Sequence, residues 1–219
     1  MKRALLLIAA ILLSGCGSAD DAKPETRTFD LAGTALTIAK DNGDLAVRFG
    51  DDDTIRATRW FAGEPSDATW ELADGTLRLA TDCSGPFKSC AVRYEIVVPR
   101  ATVLTVSGDN GAIGVDAPTA DLTLQSTSGS ISATGVASGN VKATSGNGTV
   151  DLAFTKAPAT VDVTTDNGAV TVSVPPAGYR VTIKTDNGEV RNELPTDPAS
   201  SHSVAVRTEN GAVTLRTAS

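Results

Sequence analysis

The segment from residue 161 to residue 172 reads Val161-Asp-Val-Thr-Thr-Asp-Asn167-Gly168-Ala-Val-Thr-Val172. Its apolar side chains fall at odd positions before the Asn-Gly pair and at even positions after it. Alternation with a period of two is typical of a β-strand with one buried face. Because the parity changes at Asn167-Gly168, the chain must turn there. We expect Gly168 to adopt the left-handed conformation of such a turn, and the preceding Asn tolerates a positive φ as well.

The same pattern recurs along the second half of the chain. Further copies are centred on Asn110-Gly111, Ser128-Gly129, Asn147-Gly148, Asn187-Gly188 and Asn210-Gly211, and Asn42-Gly43 matches the template near the start. From Gly111 to Gly211, the glycines are spaced by 18, 19, 20, 20 and 23 residues. A period close to twenty predicts a repeat architecture.

Two topologies satisfy this pattern. In an antiparallel β-hairpin meander, each Asn-Gly pair is the centre of a type I′ turn and the strands pair within a copy. In a β-solenoid, the pair is a corner, and each strand pairs in register with the equivalent strand of the next copy. We favour an all-β, single-domain β-solenoid, because a near-constant repeat length matters only when copies stack. The loops between copies would then lie on one flank.

The composition is consistent with an all-β fold and argues against a nucleic-acid partner. Only 4% of the 219 residues are aromatic while 41% are hydrophobic, so the core must be filled by small and branched aliphatic side chains. The formal net charge is -7, and no run of basic residues is longer than Lys2-Arg3. Binding to phosphate backbones requires a concentrated basic face.

The N-terminus has the pattern of an export signal. Lys2-Arg3 precedes an apolar segment from Ala4 to Leu13 that is too short to span a bilayer. The following Leu13-Ser14-Gly15-Cys16 resembles the lipobox of bacterial lipoproteins, which implies acylation of Cys16 and removal of residues 1–15. Residues 16–28 lack apolar periodicity and are expected to form a flexible tether. The predicted domain is 29–219.

Two further cysteines are expected to form a local disulfide. Cys83 and Cys90 are an even pair once Cys16 carries lipid, and the residues between them favour turns. A metal or redox pair would favour a Cys-x-x-Cys spacing or a nearby histidine, and the single histidine, His202, lies far along the chain.

Residues 29–100 are less regular than 101–219 and contain most of the aromatic side chains. We interpret 29–100 as the part that caps the regular repeats of 101–219, because an uncovered solenoid end exposes strand edges and apolar interior. Core packing is the favoured role of the aromatic residues. An aromatic sugar-binding platform on Trp60 and Trp70 is the alternative.

No motif predicts catalysis, and no metal or cofactor is expected. A Ser/His/Asp triad would have to use His202 in a loop-like segment, and the sequence has no Gly-x-Ser-x-Gly motif. Stacking would align Asp166, Asp186 and Glu209 in an acidic column. Calcium could bridge such a column, but solvated turn residues are the favoured interpretation.

The combination of motifs resembles one family. Leu36-Thr-Ile-Ala-Lys-Asp-Asn-Gly-Asp-Leu-Ala-Val47, Asp51-Asp-Asp-Thr-Ile-Arg56, Val97-Val-Pro-Arg100 and the Asn-Gly copies are similar to the putative-adhesin, or toast-rack, family of bacterial envelope proteins. The resemblance spans about residues 29–219. It implies a surface β-solenoid with no established activity, and related domains occur in envelope-stress sensing proteins.

We therefore expect a non-enzymatic, lipid-anchored protein outside the cytoplasm that presents a rigid β-repeat domain for adhesion or envelope interaction. Its expected partners are the membrane, through the lipid, and a cell-wall glycan or an envelope protein. One alternative is an envelope-stress sensing or accessory subunit. Another is a polysaccharide-binding or polysaccharide-active protein.

Overall fold

The computed structural model describes residues 19, 22–62, 68–81 and 91–218. These residues form β-strands and no α-helix, and among them no helix is long and apolar enough to cross a membrane. The strands are β1 (Pro24–Asp30), β2 (Ala35–Lys40), β3 (Asp44–Gly50), β4 (Thr54–Ala62), β5 (Ala68–Ala73), β6 (Thr76–Thr81), β7 (Ala91–Pro99), β8 (Val103–Asn110), β9 (Ile113–Asp116), β10 (Leu122–Ser128), β11 (Ile131–Val136), β12 (Asn140–Asn147), β13 (Val150–Phe154), β14 (Thr160–Asn167), β15 (Val170–Val174), β16 (Arg180–Asn187), β17 (Val190–Asn192), β18 (Ser203–Asn210) and β19 (Val213–Thr217).

The strands form two sheets that face each other across a thin core. Sheet A has ten strands in the order β1-β4-β7-β3-β9-β11-β13-β15-β19-β17, and sheet B has nine in the order β16-β18-β14-β12-β10-β8-β2-β6-β5. The two strands that flank each Asn-Gly or Ser-Gly corner lie in different sheets. Each pairs in parallel with the equivalent strand of a neighbouring copy, so that Val161 lies between Val141 and Val204. This arrangement confirms the β-solenoid and excludes the hairpin meander.

The core consists of the inward-facing alternate positions of both sheets. Val161 and Val163 on β14 are 0% exposed, and Val170 and Val172 on β15 are at most 1% exposed. The predicted change of parity across the corner is therefore confirmed. Burying one valine side chain contributes roughly 1.5–3 kcal/mol, and each layer contributes several such side chains.

The copies do not stack in their sequence order throughout. The last copy, β18 and β19, lies between β14 and β15 on one side and β16 and β17 on the other. Our expectation that every copy pairs with the next one is therefore wrong for the Asn167 and Asn187 copies, whose strands do not pair, whereas the last two copies do pair with each other. The connection between Asn192 and Ser203 lies in the longest interval of the repeat, the 23 residues from Gly188 to Gly211. It is long enough for the chain to return from β17 to the layer of β18, a distance of about 4.8 Å along the stack.

The irregular part lies at the opposite end of the stack, where we expected a cap. β2 and β3 stack directly on β8 and β9, and β6 and β7 add a further parallel layer outside them. β5 then pairs antiparallel with β6, and β4 pairs antiparallel with β7. The change to antiparallel pairing ends the regular repeat at this side.

The first strand begins inside the segment that we expected to be a flexible tether. β1 starts at Pro24 and pairs antiparallel with β4 along its full length, from Pro24 opposite Trp60 to Asp30 opposite Thr54. Most of its side chains are exposed, and for this reason the sequence shows no apolar periodicity there. Backbone pairing to an edge strand does not require an apolar face.

Candidate functional site

The Asn-Gly corners form a column in which each glycine lies against the next. A Cβ placed on Gly168 would lie 2.0 Å from the carbonyl oxygen of Gly148, and one on Gly211 would lie 2.0 Å from that of Gly168. Gly168 does not have a positive φ, so the expected left-handed turn is wrong at this corner. Glycine is required there because the corner of one layer approaches the backbone of the next too closely for any side chain.

The asparagines of the corners form a ladder of side-chain hydrogen bonds. The Asn167 amide donates to the Asn147 oxygen at 3.0 Å, Asn210 donates to Asn167 at 2.9 Å, and Asn187 donates to Asn210 at 3.0 Å. The Asn110 amide donates to Asn42 at 3.2 Å in the same direction. Parallel in-register stacking places identical side chains one strand spacing apart, which is the geometry that such ladders require.

A buried lysine lies beneath the corner of the first copy. Lys40 is 5% exposed, and its Nζ donates to the carbonyl oxygens of Gly43 at 2.8 Å, Asn110 at 2.6 Å and Gly111 at 3.4 Å. Gly108 leaves room for it, because a Cβ there would lie 2.9 Å from Lys40 Cε. The ammonium group thus joins the corners of two neighbouring layers.

Burial lowers the pKa of Lys40, and the nearby carboxylates of Asp44, Asp41 and Asp109 oppose this shift. We did not single out Lys40 from the sequence. The available signal was parity, because Lys40 continues the inward series of Leu36 and Ile38.

The outer face of sheet B carries a shallow polar groove of about 770 Å³ near the cap. Its floor includes the small side chains of Ala39 and Ser107, which lie opposite each other on β2 and β8. Arg78 borders it on the β6 side, and Gln125 and Lys142 border it on the β10 and β12 side. This sheet B groove offers cationic and amide groups over a floor of small residues.

Asp41 lies at the corner end of the sheet B groove and is held by the cap. Its carboxylate accepts hydrogen bonds of 2.7 Å from both the backbone N–H and the hydroxyl of Thr81. Next to it in the cap, burial and the charge of Asp41 raise the pKa of the Tyr94 phenol to about 12. The corner end of the groove is thereby joined to the cap through Asp41 and Thr81.

Trp70 is buried and Trp60 is only partly exposed, so the structure contradicts the aromatic platform that we considered on Trp60 and Trp70, which needs both rings open to solvent. Trp70 is 2% exposed, and the guanidinium carbons of Arg59 and Arg27 lie 4.7 Å and 4.9 Å from its ring centre. The Arg93 guanidinium carbon lies 3.9 Å from the ring centre of Trp60. The favoured interpretation, in which these side chains pack the cap, fits these contacts.

Arg59 connects three elements of the cap. It is 4% exposed, donates to Glu25 Oε2 from Nε at 3.1 Å and from Nη2 at 2.8 Å, and donates to the Ala68 carbonyl at 2.8 Å. β1, β4 and β5 are thereby tied together. This role could not be predicted from the sequence, because Glu25, the ionic partner of Arg59, lies 34 residues away in the chain.

The acidic column forms, but in a different order from the sequence. The in-register pairs Asn167 with Asn210 and Asn210 with Asn187 place the residues before them in the order Asp166, Glu209, Asp186, and all three are exposed. Within the described part of the chain, no group of three or more His, Cys, Asp or Glu side chains is placed to hold a metal ion.

The predicted lipid and disulfide sites lie outside the described residues. This applies to Cys16 and to the pair Cys83 and Cys90. His202 is described and lies in the loop flank, where its Nδ1 lies 2.7 Å from the Pro158 carbonyl and its ring centre lies 5.8 Å from that of Tyr179. Its contacts connect two loops.

Comparison with known families agrees with this geometry. A family model described as Toastrack DUF4097 matches residues 35–218. The chain belongs to the Toastrack DUF4097 family. The match starts at β2 and ends after β19, so it includes all of the repeat copies of the toastrack domain and every strand of the cap except β1.

A solved structure of low sequence identity shares the fold of this toastrack domain. A crystal structure described as a "putative cell adhesion protein" from Clostridium sporogenes is 14% identical, with a TM-score of 0.55 and coverage of 90% of this chain and 100% of that chain. Another, described as a "putative adhesin" from Bacteroides fragilis, is 12% identical, with a TM-score of 0.49 and coverage of 92% and 99%. None of the curated proteins matches this chain.

Proposed function

We propose that this toastrack protein is a non-enzymatic, lipid-anchored protein outside the cytoplasm that presents its β-solenoid for adhesion or envelope interaction. The observation that carries the proposal is the regular stack itself, in which corners, core and paired strands repeat from layer to layer. The description of the Clostridium sporogenes structure as a "putative cell adhesion protein" supports the same role. The export signal and lipobox-like sequence before Cys16 support the anchor.

A localisation experiment tests the anchor. Cells expressing the native chain and cells expressing Cys16→Ser are fractionated, and the protein is followed by immunoblot. We expect the native protein in the membrane fraction and the variant in the soluble extracytoplasmic or secreted fraction. Unchanged membrane fractionation of the variant would contradict the lipid anchor. It would not affect the proposed role of the domain, which a binding assay tests separately.

The sheet B groove favours a specific form of the polysaccharide alternative, namely binding of a cell-wall glycan. Ser107 in its floor and the bordering Arg78, Gln125 and Lys142 can hydrogen-bond the hydroxyl and amide groups of an extended polymer. The assay is co-sedimentation of the purified protein with isolated cell-wall material. We expect Arg78→Ala/Lys142→Ala to weaken binding and the loop variant Lys156→Ala to leave it unchanged.

Equal binding by all three proteins would exclude the groove as the contact surface. Failure of the native protein to bind any cell-wall fraction would favour an envelope protein as partner. The envelope-stress sensing alternative is then tested by co-purification from membranes, where recovery of a signalling kinase would support it.

A further inference from the structure

The two ends of the solenoid differ. At one end, antiparallel strands and the Arg59 contacts cover the stack, as described above. At the other end, the parallel repeat strands β16 and β17 are themselves the last strands of their sheets. Val181 and Ile183 are partly exposed, whereas the equivalent Val204 and Val206 one layer inside are 0% exposed.

The unpaired backbone groups of β16 can be assigned from its hydrogen bonds. The Arg180 N–H donates to the His202 carbonyl on the β18 side at 2.8 Å. Because backbone groups alternate in direction along a strand, those of Val181, Ile183 and Thr185 point to the open side. In the described chain, no other strand pairs with these three residues.

This open edge has a defined beginning. The Tyr179 N–H donates to the Pro195 carbonyl at 2.9 Å, and the Asp197 N–H donates to the Tyr179 carbonyl at 2.9 Å. The loop segment therefore occupies the edge at Tyr179 and leaves free the part from Arg180 to Asp186. The midpoint of that free part is Ile183.

We propose that this edge binds a second copy of the same chain, with β16 of the two copies paired antiparallel about a two-fold axis at Ile183. In this register, Ile183 faces Ile183 of the second copy, and Val181 faces Thr185, so that the outward backbone groups meet one another. Arg180 then lies opposite Asp186, and Thr182 lies opposite Lys184. The charges along β16 therefore complement those of a second, antiparallel β16.

Neighbouring registers lack this complementarity. An axis at Thr182 places Arg180 opposite Lys184, and an axis at Lys184 places Lys184 opposite itself. Like charges directly opposite each other destabilise a strand pair, whereas opposite charges stabilise it. Among the axes at Thr182, Ile183 and Lys184, only the axis at Ile183, the midpoint of the free part of the edge, places opposite charges across from each other.

Arg180 and Asp186 are available for this contact. Both side chains are exposed. The Arg180 side chain is oriented by a hydrogen bond of 3.3 Å that its Nη1 donates to the Ser200 carbonyl. In the proposed pair they occupy a non-hydrogen-bonded position, where side chains of opposed residues approach most closely.

The dimer would place the two capped ends far apart. Sheet A has ten strands, so one copy extends about 45 Å along the stack and the dimer about 90 Å. The inference does not depend on the lipid anchor or on the adhesive role.

Sedimentation velocity of the full chain tests the proposal. Cys16→Ser is included in every sample so that acyl chains do not drive association. We expect a concentration-dependent dimer. Arg180→Asp and Asp186→Arg should each weaken dimerisation at least about tenfold, because each places like charges together, and the double reversal should restore it.

An edge variant provides a second measurement. Ile183→Pro removes an N–H on the open side and is expected to preserve the fold while abolishing the dimer, since proline is tolerated on edge strands. A chain that stays monomeric at all concentrations would overturn the proposal. So would a double reversal as weak as the single ones, or a dimer that Ile183→Pro leaves intact.

Discussion

Asn210 donates a 2.9 Å side-chain hydrogen bond to Asn167, although the two residues are 43 positions apart and the Asn187 copy lies between them in the sequence. Asn187 in turn donates to Asn210. The ladder therefore follows the spatial order of the layers and not the order of the chain. It shows that the last copy is an internal layer and that the preceding copy forms the open end.

The glycine column predicts a large effect of a single methyl group. Gly168→Ala places a Cβ 2.0 Å from the Gly148 carbonyl oxygen, so the two layers must separate. We expect a loss of roughly 2–4 kcal/mol in the free energy of unfolding, measured by denaturant titration. Gly139→Ala is the matched control, because a Cβ there meets nothing within 4 Å. Equal stability of the two variants would contradict the close approach.

The asparagine ladder predicts that position within the stack determines the cost of losing a side chain. Asn167 makes two ladder hydrogen bonds, whereas Asn187 at the end makes one. We expect Asn167→Ala to lower the free energy of unfolding by about 1 kcal/mol and Asn187→Ala by about half as much. A larger loss for Asn187→Ala in the same titration would contradict the exchanged order of the layers.

Lys40 and Gly108 are expected to be energetically coupled. Gly108→Ala alone introduces a contact of 2.9 Å with Lys40 Cε and should be destabilising. In a Lys40→Ala background, the same methyl group has space and should cost at least about 1 kcal/mol less, as measured by a double-mutant cycle. Additive effects would show that Lys40 does not occupy the space beside Gly108.

The raised pKa of Tyr94 predicts a loss of stability at alkaline pH. Its pKa is raised to about 12 in the folded protein from 10.0, so the folded state keeps the proton where the unfolded state loses it. The stabilisation is fully present below pH 10 and is lost as the pH rises through 12. The resulting decrease in the free energy of unfolding is about 2–3 kcal/mol.

The variant Tyr94→Phe isolates this contribution. It keeps the ring in the core, where Tyr94 is 0% exposed, and removes the titrating group. We expect the stability difference between native protein and variant to change between pH 10 and pH 12. A constant stability difference over this range would contradict the shifted pKa of Tyr94. Lys40 contributes in the opposite direction, because its lowered pKa favours the folded state as the pH rises. Since both proteins contain Lys40, its contribution cancels in the comparison.

Much of the fold could be predicted from the sequence because a two-sheet stack imposes alternation on every strand. The parity change at Asn167-Gly168 predicted the corner, and the constant spacing predicted parallel stacking. The exchange of the last two copies could not be predicted in this way. Val181 and Ile183 on β16 have the same alternating pattern as Val204 and Val206 on β18. Either strand could therefore pair with β14 and continue its buried face.

The role of the corner glycines was partly missed because a sequence does not display contacts between layers. Asn-Gly is common in turns that need a positive φ, and Gly111, with a φ of 91°, has one. Gly168 has the same sequence context without that conformation. Only the distance to Gly148 in the next layer explains it. Of the candidate sites, the sheet B groove was not predictable, because its residues come from five separate strands.

Nuclear Overhauser spectroscopy of the isotope-labelled protein tests the stacked order most directly. Thr164 lies opposite Arg207, and Arg207 lies opposite Lys184 on its other side. We predict inter-strand backbone contacts for both of these pairs and none between Thr164 and Lys184, which are about 9.6 Å apart across two strand spacings. Contacts between Thr164 and Lys184 without contacts between Thr164 and Arg207 would contradict the account.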